Sequence, residues 1–271
     1  MTDAQLKTVR DFEHAGWQAI ASQYESLFAG ATKHYVDSLL KITGTSSGIR
    51  LLDVACGPGF AAAKARKMGA VAVGVDFSSA MIAVAKSRHA GIDFIVADAT
   101  ALPFEGSSFD AIIVNFGVHH FENPAHALKE FYRVLRPHGR LAFTIWADPR
   151  ENPAWRLIID AVTAHGTFDV PMPAGNDKRN NTEDFIKLTH AAGFSGVRAE
   201  PIKMPWRMPA GTDLVSLFEN STVRMASLLK GQNLKALSAI RQHVARAIKA
   251  HLSDGQIQLS TNAYVVIASR D

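Results

Sequence analysis

Five short apolar runs alternate with helical patterns across residues 50–147, and that alternation constrains the fold more than any other feature. The runs are RLLDVA (50–55), VAVGVD (71–76), IDFIVAD (92–98), DAIIVNFG (110–117) and RLAFTIW (140–146). Rich in Val, Ile and Phe, they suit strands buried on both faces. Helical segments fit between them at 60–68, 78–89 and 124–135, the last stopped by Pro137 and Gly139. Strand alternating with helix predicts a parallel sheet with helices on both faces. A chain of 271 residues, 47% hydrophobic and 20% charged, is large enough to bury such a core.

The flanks read differently. Residues 5–42 are helical in pattern and carry Phe12 and then Trp17, Ile20, Tyr24 and Phe28, these four at three- and four-residue spacing. Prolines dominate 148–181, with a short helix expected around 153–165. A helix at 182–194 is expected to start on Thr182 as its cap. Residues 197–206 and 261–270 are two further strand candidates, the first placed at a sheet edge by Pro201 and Pro205. Between them, 212–252 is helical, and Leu234, Leu237, Ile240, Val244, Ile248 and Leu252 form one apolar stripe.

Several classes of function are disfavoured at once. The lone cysteine, Cys56, supports neither an internal disulfide nor a cysteine zinc site, and a reducing, cytoplasmic compartment is the simple expectation. The start of the chain has no apolar signal core, and no run is long enough to span a bilayer. No metal cluster is visible. A net charge of +4 is modest for this length and by itself weak support for a polyanionic partner.

The turn after the first run carries the chemistry. Gly57, Gly59 and Ala62 match the glycine pattern that brings backbone amides to a nucleotide ligand, and Asp76, 19 residues after Gly57, ends the second strand where a carboxylate accepts ribose hydroxyls. Asp53 separates the possible ligands. It lies four residues before Gly57, near the end of a strand buried on both faces, where it would repel a bound pyrophosphate and favour a cationic amino group. S-adenosylmethionine, with an adenosine, an α-amino acid, a sulfonium and no phosphate, fits that requirement.

These segments resemble the class I S-adenosylmethionine-dependent methyltransferases of the small-molecule type, with a motif set like that of the ubiquinone and menaquinone methyltransferases. DVACGPG (53–59), VGVDFS (73–78), ADATALPF (97–104), FDAIIVNFGVHHF (109–121) and RVLRPHGR (133–140) occur in that family's order and spacing. One departure is His138, where the family usually has a second glycine. The resemblance implies a Rossmann-like α/β fold: a seven-stranded, mostly parallel sheet, helices on both faces, the last strand antiparallel, and a helical cap insertion. It further implies a lid over 1–45, a cofactor-binding core over 46–147, an insertion over 148–181 and a C-terminal part over 182–271 whose cap spans about 209–255.

Carried over by position, Asp53, Gly57 and Gly59 are expected at the methionine end and Asp76 at the ribose. Phe77, Met81, Asp98 and Ala99 would surround the adenine, with Asn115 below the sulfonium and Tyr24 over it from the lid. Core packing is an equal reading for Phe77, Met81 and Tyr24, and the favoured one for Trp17. His119 and His120 follow the fourth strand at the rim where open α/β sheets bind ligands, so either is a candidate base, or both only shape the pocket. Trp146, Trp206 and Arg241 are candidate substrate contacts, Arg241 facing a substrate carboxylate or one of the main domain.

The expected activity is transfer of a sulfonium methyl to a small organic molecule, with no nucleic-acid partner. Two alternatives stay open. Between Glu219 and Asp254 the chain has no acid but six basic residues (Arg224, Lys230, Lys235, Arg241, Arg246 and Lys249), as an RNA methyltransferase would use. The other alternative is a non-catalytic module that binds the cofactor. A dehydrogenase is disfavoured by Asp53.

Overall fold

The computed structural model describes residues 8–171, 173 and 181–271. Residues 1–7 of the expected lid, and residues 172 and 174–180 of the expected insertion, lie outside the described residues. The chain opens with α1 (Val9–Leu27), whose first turn is capped by Thr8 accepting the Asp11 N–H at 3.0 Å. Two shorter helices, α2 (Ala29–Thr32) and α3 (Val36–Ile42), lead to the alternating region. There β1 (Arg50–Val54), α4 (Phe60–Lys67), β2 (Val71–Asp76), α5 (Ser79–Arg88), β3 (Asp93–Val96) and β4 (Phe109–Val114) follow in order. A 3₁₀ turn at Val118–His120 precedes α6 (Pro124–Val134) and β5 (Leu135–Trp146).

Beyond this core come α7 (Pro153–His165), α8 (Thr182–Ala191) and β6 (Ser195–Pro209). The chain closes with α9 (Leu214–Ser221), α10 (Arg224–Lys230), α11 (Leu234–Ala247), β7 (Leu252–Ser253) and β8 (Gln256–Ser269). The cap of α8 is Asn181, one residue before the expected Thr182: Asn181 and Asp184 exchange side-chain and backbone bonds in a capping box, which Thr182 is not placed to make.

The sheet runs β3-β2-β1-β4-β5-β8-β6, with β8 antiparallel to both neighbours and the two-residue β7 paired to the start of β8. The seven-strand path with the chain's last strand antiparallel is what the resemblance implies, and the short β7 adds an eighth strand beside it. β6 lies at the edge, so Pro201 and Pro205 remove no bond to a further strand. Helices cover both faces. On one, Leu128, Phe131 and Phe185 from α6 and α8 pack on Phe109, Ile112 and Phe143. On the other, Val36, Leu39, Ala61, Ala65 and Ile82 from α3, α4 and α5 pack on Leu51, Ala111 and Ile113. The inner strands β1 and β4 are buried on both faces, which is why their sequences do not alternate.

A third core sits where β6 and β8 extend past the sheet. Trp206, Met208, Ile257 and Leu259 meet Ile158, Val162, Phe218, Leu229, Ile240 and Val244 from α7 and α9–α11, and Phe28 reaches in from the N-terminal helices. The apolar stripe predicted for α11 is buried in its middle but fails at its ends. Leu234 is 87% exposed and Leu252 is 43% exposed, because both lie at element boundaries past the packed face. Lys235, Arg246 and Lys249 project into solvent, as expected.

Candidate active site

At the carboxyl ends of β1, β2 and β4 lies a cavity of about 400 Å³. The chain leaves β1 by an unusual path: Ala55, Gly57 and Gly59 have φ of +53°, +52° and +84°, all in the left-handed region. Gly57 lines the cavity, and a Cβ there would meet nothing nearer than Met81 Sδ at 4.0 Å, so backbone conformation alone calls for glycine. Gly59 differs. It is the N-cap of α4 and does not line the cavity; a Cβ there would strike Phe94 Cζ at 2.6 Å. Here glycine clears space beneath the turn for Phe94.

Asp53 and Asp76 form the floor, 1% and 7% exposed. Asp53 Oδ2 accepts the Ala62 N–H of α4 at 3.0 Å, while Oδ1 is buried with no partner. Burial pushes the Asp53 carboxyl up to about 7, the nearby Asp76 adds to the rise, and the Ala62 N–H opposes it. Asp76 accepts the Gly57 N–H on Oδ2 and the Ser78 N–H on Oδ1, both at 2.9 Å. Burial pushes it up to about 6 against those two bonds. A buried carboxylate oxygen without a donor costs about 1–3 kcal/mol, a cost that a cationic ligand would remove.

Phe77, Met81, Asp98 and Ala99 form one side of the cavity, beyond the ends of β2 and β3. Burial alone would raise the Asp98 carboxyl, but the Thr100 N–H at 2.8 Å, the Thr100 hydroxyl at 2.7 Å and Arg10 at 2.8 Å hold it below its ordinary range. Asn115, just past β4, also lines the cavity with both ends of its amide engaged. Nδ2 donates to the Thr32 carbonyl at 3.2 Å and Oδ1 accepts the Thr144 hydroxyl at 3.0 Å. It thereby ties the N-terminal helices to the sheet.

Helix α1 contributes Arg10, Trp17 and Tyr24 to the wall. Gln18 fastens it to the start of α5: its Oε1 accepts the Ser78 hydroxyl at 2.6 Å and the Ala80 N–H at 2.7 Å. Trp17, expected in the core, instead faces the cavity. Tyr24 meets it edge-on, with centroids 5.7 Å apart, and shares a 3.2 Å bond with Thr32, while burial pushes its phenol up to about 12. The apolar end of the cavity is formed by Tyr24, Phe28, Val36, Phe116 and Trp146. There Phe116, at φ +61°, lies face to face with Trp146 at 3.7 Å. A bulky residue held in the left-handed region at the end of β4 is strained backbone at a site.

Three expected contacts fall elsewhere. Trp206 is 2% exposed inside the third core, packed against Phe28, Trp155 and Phe218, and does not reach the cavity. Arg241 pairs with Asp213 at 2.8 Å and with Glu219, both on or next to α9, so it serves the helical region itself and neither expected partner. His119 turns under the site: its Nε2 accepts the Trp146 N–H at 3.0 Å and its ring meets Phe185. Its expected role as a base does not fit an Nε2 already bonded to the sheet.

His120 does line the cavity, and its surroundings show two residues that sequence reasoning missed. Glu13 of α1, with no exposed surface, bonds His120 Nδ1 at 2.8 Å, Trp17 Nε1 at 3.1 Å and Arg224 Nε at 2.6 Å. Arg224 also donates to the His119 carbonyl at 2.8 Å. One signal was present: Glu13 falls four residues before Trp17 on the aromatic face of the helix, where a charge needs a partner.

The open α/β sheet, with acids at the ends of β1 and β2 around a turn that begins a helix, defines a nucleotide-type cofactor fold. A model of the methyltransferase domain matches residues 52–143. A demethylmenaquinone methyltransferase of Renibacterium salmoninarum is 36% identical over 157 residues, covering 56% of this chain and 66% of that protein. One from Beutenbergia cavernae is 36% identical over 185 residues, covering 63% of this chain and 76% of that protein. Among such curated relatives, the share of the relative's own length that the chain spans falls as low as 43%. The structure of Haemonchus contortus phosphoethanolamine N-methyltransferase 2 with S-adenosylhomocysteine is similar in fold, with TM-score 0.59 and 19% identity, covering 97% of this chain and 60% of that one. The chain belongs to the class I S-adenosylmethionine-dependent methyltransferases, and S-adenosylmethionine is the cofactor of that family.

Proposed function

We propose that this protein transfers the sulfonium methyl of S-adenosylmethionine to a small organic acceptor held in the same cavity. The buried, unpartnered Oδ1 of Asp53 carries the reading: it calls for a cation where the cofactor would present its amino group. Asp76 keeps a second lone pair on each oxygen for the ribose hydroxyls, and Phe77, Met81, Asp98 and Ala99 would enclose the adenine. When bound, the cofactor supplies a methyl already activated by its sulfonium charge. The chain's residues then have to align an acceptor, exclude water and take up a proton. Tyr24, Phe28, Phe116 and Trp146 suit an apolar acceptor, and His120 is the candidate base.

In this reading α1 is the lid and α9–α11 form the cap. The acceptor is a small molecule and not a nucleic acid: Arg224 and Arg241 are committed to internal carboxylates, which thins the basic surface of the helices. No helix among the described residues is long and apolar enough to cross a membrane. The lone, buried Cys56 supports a cytoplasmic setting.

Calorimetric titration with S-adenosylhomocysteine and with NADH tests the site. Micromolar binding of the first and none of the second is expected. Asp53→Asn removes a charge-assisted contact of about 1.5–3 kcal/mol, so affinity should fall roughly ten- to hundredfold. Undiminished binding in that variant would overturn the assignment of Asp53. Methyl transfer to demethylmenaquinone-like compounds is the first acceptor assay to run.

A further inference from the structure

Among the described residues, Glu13 is the most completely buried carboxylate outside the cavity floor. Burying a carboxylate there carries a desolvation cost that its partners must offset. Three elements converge on it. His120 and Trp17 share its Oε2, and Arg224 of α10 holds its Oε1. The helices close around this point: a Cβ on Gly16 would strike Val223 Cγ1 at 2.5 Å.

We propose that Glu13 is the positioning residue for His120, fixing Nδ1 as the protonated nitrogen and leaving Nε2 as the proton acceptor of a residue on the cavity wall. This rests on the methyltransferase reading above and adds a role for a residue of the lid. A carboxylate only accepts, so the hydrogen shared with His120 sits on Nδ1, and the neutral ring must then carry its lone pair on Nε2. Burial alone would raise the Glu13 carboxyl. His120 and Arg224 outweigh it and hold the group below its ordinary range, so it is the anion that faces the imidazole. When an acceptor O–H or N–H bond breaks as its atom gains the methyl, the proton passes to Nε2, and the resulting imidazolium is stabilised by Glu13. Arg224 acts in the opposite sense, because its charge competes with His120 for the same carboxylate.

That opposition makes the test. Glu13 on α1 and Arg224 on α10 face His120 directly; Asp76 at the end of β2 also senses it, and Arg10, Glu122 and His126 share the cavity wall. The last four are unchanged in the variants, so they cannot set the sign of a difference. The full chain, labelled with ¹⁵N in its histidine rings, is titrated by NMR without cofactor, and the His120 signals are assigned by their loss in His120→Gln. The Nδ1–H form is expected in the neutral ring. Glu13→Gln should move the His120 midpoint down and Arg224→Gln should move it up. A dominant Nε2–H form, or shifts of equal sign or no shift in the two variants, would overturn the proposal. If Glu13→Gln does not fold, Arg224→Gln carries the sign test alone. S-adenosylhomocysteine titration of the same samples separates the two readings: loss of binding with the expected tautomer faults the cofactor site, and normal binding with the other tautomer faults only Glu13.

Discussion

Two buried carboxylates, one at the cavity floor and one in its α1 wall, are handled in contrasting ways. Asp53 has one backbone donor and an oxygen with none, and its carboxyl rises to about 7. Glu13 has three donors, two of them on cationic or basic side chains, and its carboxyl falls. Both are out of solvent, so burial penalises both; what differs is whether the protein or a ligand is left to supply the partner charge. A satisfied carboxylate holds elements together, whereas a starved one is a binding site kept at the expense of stability.

Truncating the two acids should therefore move stability in opposite directions. The largest effect belongs to Glu13→Ala, which leaves Arg224 and His120 facing each other without their anion. Loss of a buried partner of this kind costs about 3–5 kcal/mol, read as a lower midpoint in urea unfolding. A loss below about 1 kcal/mol would place the pair in the class of exposed ion pairs and erase the contrast.

Asp53→Asn should do the reverse in the ligand-free protein. A carboxyl near 7 in the folded state and about 4 when unfolded means that the folded chain binds the proton more tightly between those values. Stability is therefore full below about pH 4 and is lost as pH rises toward 7, and at pH 8 the asparagine variant should be more stable by on the order of 2 kcal/mol. The same linkage governs binding. Below pH 7 a cationic ligand must first displace the Asp53 proton, so affinity for S-adenosylhomocysteine should rise with pH up to about 7 and level off above it, the rise being smaller in Asp53→Asn, where Asp76 near 6 still titrates. A wild-type affinity independent of pH between 5 and 8 would contradict the assignment.

The contrast also marks what was legible in the sequence. The floor is built from strand ends and the turns that follow them, so spacing could place Asp53, Gly57 and Asp76, the family resemblance placed Phe77, Met81, Asp98, Ala99 and Asn115, and all eight line the cavity. Spacing could not distinguish a glycine facing the cavity, such as Gly57, from one making room for Phe94, such as Gly59. Nor could it choose between adjacent histidines. In a 3₁₀ turn successive side chains diverge by about a third of a turn, which sends His119 to the Trp146 N–H and His120 to Glu13. Beyond the four-residue step to Trp17, the wall around Glu13 was out of reach, because its other partners lie 107 and 211 residues away. Helix patterning placed Lys235, Arg246 and Lys249 correctly but could not show that Asp213 and Glu219 wait for Arg241.

The smallest expected effect serves as a control distant from both acids. His138, the departure from the family's glycine, sits exposed within β5 at the irregularity between the Leu135 and Arg140 pairs, at φ +64°, with its N–H donating to the Arg270 carbonyl at 2.6 Å. A side chain in the left-handed region carries a steric cost that glycine avoids, partly offset by the greater freedom glycine gives the unfolded chain. His138→Gly should therefore raise stability by about 0.5–1 kcal/mol, seen as a small increase in Tm. It should leave S-adenosylhomocysteine affinity and the His120 titration where they were, since this irregularity touches neither acid. A shift in either would mean that the sheet transmits strain from this irregularity to the cavity, and stability changes at Asp53 and Glu13 could then no longer be read as local charge effects.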